Sequence, residues 1–518
     1  FLVVLGTSIF AGFLVAVLYI TILYPTIFSP LKDIPTPDRS FLSGTTLSSP
    51  SIRSLIGKAR YWVKTVPNDG LIRIYLKGVR ERLLVTSPQA LGEILVTKAS
   101  HFAKPPFVRQ RLHYVTGNGL LLAEGDEHKE QRRSLMPAFA FRHIKDLYPV
   151  FWLKAKELSK GIQDHVNSNQ LNGSNNVIEV RKWSRRATLD IIGLAGMEYD
   201  FDSLRDPHNP ISLQYEKMIQ NPSLFEVIIG LCLSAFMPAR DASVILRLPT
   251  KRVREMRKAS LYIRQLCQTI IEQKQAKIKS STSHVDIDII SVALRSNTFS
   301  SENLVDQMMT FLAAGHGTTS IALQWAIYAL CKNNVIQERL RREIRENLPS
   351  ISDNNCTILA DDIDSLPYLH AFCNEVLRYW PPVPSTVREA LHDTTVAGCP
   401  IPKGTIFTLA PAATNHDTEL WGPDADIFKP ERWMREDCVN SGGVKSNYGF
   451  LTFIHGPRSC PGDRFAKAEL ACMVATLVGR FRVELEDPRK EEVFDGDGIA
   501  GVAPSDGVRA KFEVIDGW

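Results

Sequence analysis

The amino-acid sequence predicts a mainly α-helical protein with small β-sheets, preceded by one N-terminal transmembrane helix. Apolar residues recur at helical spacing along most of the chain from about residue 87 onward, which favours helices. Residues 71–76 and 82–86 instead alternate between apolar and polar side chains, which is typical of two strands in a small sheet. The first charged residue is Lys32, so the sequence begins with a long uncharged segment.

This N-terminal segment is long and apolar enough to cross a bilayer, which needs about 20 apolar residues. Lysines and arginines outnumber acids in the stretch that follows, so the positive-inside rule predicts that the rest of the chain faces the cytosol. Prolines are frequent just after the segment and stiffen its exit from the membrane. We therefore expect a transmembrane anchor at residues 1–28, a proline-rich linker at 29–50 and one large domain at 51–518.

Composition narrows the class of protein. By length alone, 518 residues with 44% hydrophobic content suit two or three ordinary domains, but the motifs described below spread from His128 to Cys460, and one large domain must bring them together. The net charge of +5 is mild and its cations are interspersed with acids, which argues against a nucleic-acid-binding surface. The nine cysteines are an odd number without a C-x-x-C pair, so they indicate neither a disulfide framework nor a zinc site.

One cysteine, Cys460, has neighbours that a thiolate ligand of haem iron needs. Glycines flank it at Gly456 and Gly462, and a glycine-rich turn lets backbone N–H groups approach the sulfur and stabilise its charge. Most free cysteines are simply small buried hydrophobes. However, Phe453, Gly456, Arg458, Cys460 and Gly462 should occur at this spacing by chance in only roughly one chain in ten thousand.

This pattern closely resembles the haem-binding loop of the cytochrome P-450 superfamily, and a Glu-x-x-Arg pair upstream supports the resemblance. Glu375 and Arg378 are three residues apart, which places both charges on one helical face. The same spacing elsewhere in the chain is explained by solvated surface pairs, but here two prolines that end a helix follow the pair. The segment 428–433 also resembles the family segment whose arginine, Arg432 here, completes a buried Glu–Arg–Arg network.

A third motif lies in a long apolar stretch that predicts a buried helix around Thr318. Gly315 and Gly317 each cost about 1 kcal/mol relative to alanine in a helix, so we expect a local opening there. The Thr318 hydroxyl can bond the carbonyl of Ala314 or turn toward a ligand. The stretch is similar to the family's oxygen-activation motif, matched by Ala314, Gly315, Thr318 and Thr319, and the resemblance implies that Thr318, Ala314 and Gly315 are catalytic.

Gly317 departs from that motif, because the family commonly has a carboxylate there that helps to relay protons. Three explanations are open: water and Thr318 carry the relay, another residue substitutes for the acid, or the reaction does not need it. His316 is adjacent and titrates in a suitable range. Neighbours on a helix point about 100° apart, however, and a packed histidine is the more common case.

The remaining matches concern the haem propionates. His128 and Arg132 are four residues apart, as are a tryptophan and an arginine in the family, and both can donate hydrogen bonds to a carboxylate. Arg388 and Arg458 resemble the other partners, which would pair the buried negative charges. The resemblance thus implies a haem b cofactor with Cys460 as its iron ligand, bound by His128, Arg132, Arg388, Phe453, Gly456, Arg458, Cys460 and Gly462.

The segments that line the substrate pocket in the family are apolar here. Core packing explains any one of these residues equally well, but together with the predicted anchor they favour a lipophilic substrate, such as a terpenoid, polyketide, sterol or fatty acid. The candidate pocket residues are Leu120, Leu121, Phe311, Val383, Thr386, Val387 and Val502.

The resemblance implies a haem-thiolate monooxygenase of the endoplasmic reticulum membrane. It would insert one oxygen atom from O2 into a lipophilic substrate of secondary metabolism, within the domain 51–518. Its electrons would come from an NADPH-cytochrome reductase, with cytochrome b5 as a further candidate donor. A haem-thiolate isomerase or dehydratase that needs no external electrons is the main alternative; Gly317 motivates it, and Thr318 argues against it. A non-catalytic haem sensor or carrier would be expected to carry a regulatory domain or a second ligand set, which the sequence does not display.

Overall fold

The structure is a computed structural model and confirms a mainly helical protein with small sheets. It describes residues 11–12, 15, 18–37, 52–76, 80–171, 176–218, 226, 250–280, 288–353, 357–439, 441–489, 494–496, 501–504 and 507–518. The α-helices are α1 Ile52–Thr65, α2 Pro88–Gly92, α3 Pro106–Thr116, α4 Gly125–Leu135, α5 Phe141–Asp146, α6 Tyr148–Leu171, α7 Val180–Met197, α8 Pro210–Met218, α9 Lys251–Ser280, α10 Ile289–Arg295, α11 Ser301–Lys332, α12 Asn334–Asn347, α13 Ala360–Asp364, α14 Pro367–Tyr379, α15 Pro411–Thr414, α16 Thr418–Trp421 and α17 Asp463–Arg480. The strands are β1 Leu71–Leu76, β2 Arg80–Val85, β3 Phe102–Ala103, β4 Val177–Glu179, β5 Thr386–Ala390, β6 Thr394–Val396, β7 Cys399–Ile401, β8 Ile406–Leu409, β9 Phe481–Leu485, β10 Phe494–Gly496, β11 Val502–Pro504 and β12 Arg509–Val514.

The N-terminal region is described only in part. Its described portion includes a π-helical segment, Tyr19–Phe28, whereas residues 1–10 and 38–50 lie outside the described residues. Within the portion of the chain that is described, none of the helices is both long and apolar enough to cross a bilayer. The anchor at 1–28 and the linker at 29–50 therefore stay predictions.

The largest sheet joins distant parts of the chain. Its strand order is β1-β2-β8-β5-β3, and the two strands predicted from alternating residues are its first pair, β1 and β2. β2 runs parallel to β8, with Leu83 opposite Phe407, and β5 pairs antiparallel with the other side of β8. This pairing places Arg388 of β5 opposite Phe407, in the middle of the sheet. The smaller sheets are β4-β12-β9, β10-β11 and β6-β7.

Helix α11 is the central helix of the core. The Ser300 hydroxyl caps its first turn by accepting a hydrogen bond from the Asn303 N–H. Its side chains are buried on nearly all sides from Leu304 to Leu330, as expected for an apolar helix inside a large protein. The exception lies halfway along, where Ala314 is exposed. An exposed alanine in the middle of a buried helix indicates an internal space beside it.

Candidate haem-thiolate site

The loop around Cys460 is closed by its own backbone. The Cys460 N–H donates to the Phe453 carbonyl at 2.9 Å, and the Ser459 N–H donates to the Gly456 carbonyl at 3.0 Å. Gly456 has φ +77°, and a Cβ there would collide with the carbonyl oxygen of Leu95. Only glycine meets both conditions without strain, which explains this position of the motif.

The thiol itself is accessible. Cys460 is accessible to water, yet burial among the surrounding atoms raises the pKa of its thiol to about 11. The Gly462 N–H is directed at the sulfur and opposes that rise, as the sequence analysis expected of a glycine in this turn. The Cys460 sulfur is thus accessible to a ligand, and the Gly462 backbone N–H donates a hydrogen bond to it.

Arg132 of α4 attaches this loop to the rest of the site. Its guanidinium donates to the Ser459 carbonyl at 2.7 Å and to the Ser459 hydroxyl at 3.1 Å. The same cation is close enough to Cys460 to lower the pKa of the thiol. The arginine predicted to hold a propionate therefore also positions the residue beside the thiol.

Two of the other predicted propionate partners, Arg458 and Arg388, form a cluster of cations with Arg132. Arg458 forms an ion pair with Glu124 and donates to the Ala123 carbonyl at 3.0 Å. Arg388 is 4% exposed and donates within its own strand, to the Val387 carbonyl at 2.9 Å and to the Thr386 hydroxyl at 3.3 Å.

The electrostatics of this cluster favour an anionic ligand. Burial, followed by the charge of Arg458, lowers the pKa of His128 to about 4, and the same two causes lower the pKa of Arg388 to about 10. Buried cations normally have counter-charges. Glu124 is the carboxylate that acts on both Arg388 and Arg458, and it cannot neutralise the whole group. The residues present therefore fit a dianionic group such as the two propionates of haem.

Lys104 belongs to this cluster and was missed by the sequence analysis. Burial, followed by the charge of Arg388, lowers the pKa of Lys104 to about 7, and its backbone N–H donates to Glu124 at 2.9 Å. No motif marks this lysine, because it lies just after β3, far from His128 and Arg458 in sequence. Only the pairing of β3 with β5 brings it beside Arg388.

The predicted Glu–Arg–Arg network is present. Arg378 donates to both carboxylate oxygens of Glu375 at 2.8 Å, and Arg432 donates to one of them at 3.1 Å. The Trp433 indole N–H and the Lys429 N–H complete the set at 3.0 and 2.7 Å. Burial pushes the pKa of Glu375 upward, but the bonds and charges of the two arginines outweigh it and leave the pKa below its usual value.

Asn415, which the sequence analysis did not identify, connects this network to the cysteine loop. Its carbonyl accepts the Arg378 guanidinium at 2.7 Å, and its side-chain amide donates to the Arg378 carbonyl at 3.0 Å. The same side chain accepts the Leu451 N–H at 2.9 Å and donates to the Thr452 hydroxyl at 2.8 Å. The network therefore sets the position where the loop begins, rather than contacting the reacting groups.

On α11, Thr318 adopts the first of the two conformations expected for it. Its hydroxyl donates to the Ala314 carbonyl at 2.8 Å, and the side chain is half-buried beside the exposed Ala314. The expected local opening of the helix is wrong, since α11 is α-helical throughout its length. A Cβ at Gly315 would lie 2.7 Å from Ile192 of α7, so close packing of the two helices explains that glycine.

His316 faces away from this site. It is 4% exposed, its Nδ1 lies 2.6 Å from the Leu312 carbonyl, and its ring packs 4.4 Å from that of Tyr215. Burial is the main cause that lowers its pKa to about 4. Two residues along a helix rotate a side chain by about 200°, which places His316 opposite Thr318. The packed-histidine interpretation is therefore the better one.

The candidate pocket residues lie in two groups. Leu120 contacts the first half of α11 through its backbone, and Phe311 of that helix packs 5.5 Å from Phe139. Val502 bonds the Pro382 carbonyl at 2.9 Å, next to Val383, which is 40% exposed. The three remaining pocket candidates are half-buried, namely Leu121, Thr386 and Val387.

Comparisons with known proteins agree with this geometry. The sequence model of the family Cytochrome P450 matches residues 69–511. The chain is 50% identical to "Cytochrome P450 monooxygenase sphH" of Aspergillus fumigatus over 97% of this chain and 91% of that protein. It is 40% identical to "Cytochrome P450 monooxygenase FSL4" of Gibberella zeae over 92% and 86% of the two chains. It is also 40% identical to "Cytochrome P450 monooxygenase FUM15" of Gibberella moniliformis over 90% and 85%.

Proposed function

The chain belongs to the cytochrome P450 family and is an enzyme of its monooxygenase type, and we propose that it inserts one oxygen atom of O2 into a lipophilic secondary metabolite. Family membership implies a haem iron with a cysteine thiolate ligand, together with O2, a substrate and a redox partner. We propose haem b as the cofactor, Cys460 as the ligand, and an NADPH-cytochrome reductase, with cytochrome b5 as a second donor, as the partner.

The observation that carries the proposal is the bridge formed by Arg132. Through Ser459 it joins the accessible thiol to a buried group of cations that, among the described residues, outnumbers the carboxylates acting on it, Glu124 and Asp463. A soft anionic ligand and a dianion-binding cluster in one site are the donor set that a haem requires. When bound there, haem supplies the redox chemistry that activates O2.

Each group of the chain then has a definite task. The Gly462 N–H would support the charge of the Cys460 sulfur. Arg388, Arg458, Arg132 and Lys104 would pair with the carboxylates of haem, and His128 would donate a hydrogen bond to them.

Thr318 holds a proton at Oγ1 beside the space that Ala314 leaves open, and rotation about χ1 moves this proton from the Ala314 carbonyl into the space. With Gly317 in place of an acid, we propose that water and Thr318 carry protons to the reaction. The side chain of His316 takes no part, because it is packed on the opposite side of the helix.

The substrate class follows from the apolar pocket candidates, and the location follows from the N-terminal sequence. Residues 1–28 contain no charge, and cations follow them. We propose a single-pass anchor in the endoplasmic reticulum membrane, with one catalytic domain, 51–518, in the cytosol.

The deciding experiment is the absorption spectrum of the reduced, carbon monoxide-bound protein, compared with that of Cys460→Ser. We expect a strongly red-shifted Soret band that is lost in the variant. A histidine-like band in the unsubstituted protein would refute thiolate ligation and, with it, the proposed reaction.

One specific observation, Gly317, favours a second candidate, a haem-thiolate isomerase or dehydratase that needs no external electrons. The two functions differ in their need for reductase and NADPH. If purified protein forms product only when both are present, the isomerase is excluded; if it forms product from a peroxide or activated substrate without them, the monooxygenase proposal fails.

A further inference from the structure

The connection between α3 and α4 lies directly on the first half of α11. A Cβ at Gly117, which has φ +60°, would collide with the Asp306 carboxylate, and a Cβ at Gly119 would meet the backbone of Asp306. The Thr310 hydroxyl donates to the Thr116 carbonyl at 2.7 Å. Two glycines thus allow the backbone of residues 116–122, the α3–α4 connection, to approach the helix closely.

Gln307 fixes this connection where it reaches the pocket candidates. Its side chain is fully buried, and its Oε1 accepts the Leu120 N–H at 2.9 Å. Because a backbone N–H can only donate, the orientation of the amide is determined, and its Nε2 must donate. The acceptor is Oε1 of Gln131 on α4, at 2.9 Å.

Gln131 extends the connection into the helix that carries the proposed haem contacts. It is 3% exposed, and its own Nε2 donates to Glu127 one turn earlier, at 3.0 Å. Gln131 lies between His128 and Arg132 in sequence. A shift of this helix or of Leu120 would therefore change one of the two hydrogen bonds of Gln307.

We propose that Gln307 is a positioning residue that sets the distance between the Leu120–Leu121 edge of the pocket and the haem-bearing helix α4. This inference rests on the proposed function. Through that distance, Gln307 determines which carbon of an elongated lipophilic substrate is presented for oxidation. An apolar residue at 307 leaves a buried N–H and a buried carbonyl unpaired, and the α3–α4 connection must then move to find other partners.

The test compares Gln307→Met with Gln324→Met in the haem-loaded protein. Methionine has a similar shape but offers no amide. Gln324 is a matched control, because it is fully buried on the same helix and its Nε2 donates at 3.1 Å to Ser320 of that helix. Two iron-binding probes are titrated spectroscopically: imidazole, which is too small to reach the α3–α4 connection, and 1-dodecylimidazole, whose chain fills the pocket.

We expect Gln307→Met to weaken 1-dodecylimidazole binding at least about fivefold relative to imidazole, whereas Gln324→Met leaves the ratio unchanged. Hydrogen exchange should also accelerate at least about tenfold for the Leu120 amide in Gln307→Met, without a change of the carbon monoxide spectrum.

An unchanged probe ratio, or faster exchange throughout the chain instead of at residues 116–122, would overturn the positioning role of Gln307. A failure of the proposed function looks different, because the unsubstituted protein would then show a histidine-like carbon monoxide band or form product without reductase and NADPH. The two failures are therefore distinguishable.

Discussion

Replacement of Glu375 by glutamine tests the buried network quantitatively. Glu375 accepts five hydrogen bonds, three at Oε1 and two at Oε2. A glutamine amide placed at Oε2 would face two donors, those of Arg378 and Trp433, and would leave Arg378 without a buried counter-charge. Breaking a buried ion pair costs about 3–5 kcal/mol, so we expect a loss of about that size in the free energy of unfolding.

The matched control is Glu338→Gln. Glu338 also pairs with an arginine three residues later, Arg341, at 2.7 Å, but its side chain is 50% exposed. Arg341 keeps its bonds to the Val478 and Phe481 carbonyls in this variant. Arg341 is itself buried, but water solvates the half-exposed Glu338 carboxylate, so the pair should contribute no more than about 1 kcal/mol and the control should lose much less stability than Glu375→Gln.

Urea unfolding followed by tryptophan fluorescence measures the difference. At a slope of about 3 kcal/mol/M for the free energy of unfolding against urea concentration, the urea midpoint should fall by roughly 1 M or more for Glu375→Gln. For Glu338→Gln it should fall by no more than about 0.3 M. Equal shifts in the two variants would refute the argument that burial of the pair, rather than its spacing, makes it structurally important.

Three further predictions concern α11. The fold lowers the pKa of His316 to about 4, so unfolding takes up a proton at this histidine below pH 6.5. The free energy of unfolding should therefore fall by up to about 3 kcal/mol between pH 6.5 and 4, and by less in His316→Phe. Urea midpoints measured across that pH range test this. Gly315→Ala should destabilise the protein by about 1–3 kcal/mol in thermal unfolding, because the new Cβ meets Ile192. The control Gly57→Ala has open space around the new Cβ and should stabilise the protein slightly. A stabilised Gly315→Ala would contradict the packing explanation. Thr318→Val should lower the product formed per NADPH consumed and Thr318→Ser should not, and equal coupling in both would remove the hydroxyl from the proton path.

Local spacing predicted the parts of the site that are contiguous in sequence. The turn around Cys460 and the bidentate pair of Glu375 and Arg378 depend on residues a few positions apart, and the backbone geometry of a turn or a helix then determines their contacts. The first two strands were predicted for the same reason, since alternation along a strand reflects its two faces.

Other features depend on which elements pack together, and no spacing encodes them. Lys104 joins the cation cluster through the pairing of β3 with β5, and Asn415 joins Arg378 of α14 to the cysteine loop through hydrogen bonds to both. The glycine at 315 was expected to open α11, but the neighbouring helix α7 gives it a packing role instead.

The sequence by itself thus determined the family, the cysteine loop and the ion network, because each depends on residues that are close together in the chain. Tertiary structure decided which side chains surround His128, which way His316 faces and how Gln307 links Leu120 to Gln131. These depend on burial and on contacts between residues far apart in the chain, and both exist only once the helices have packed.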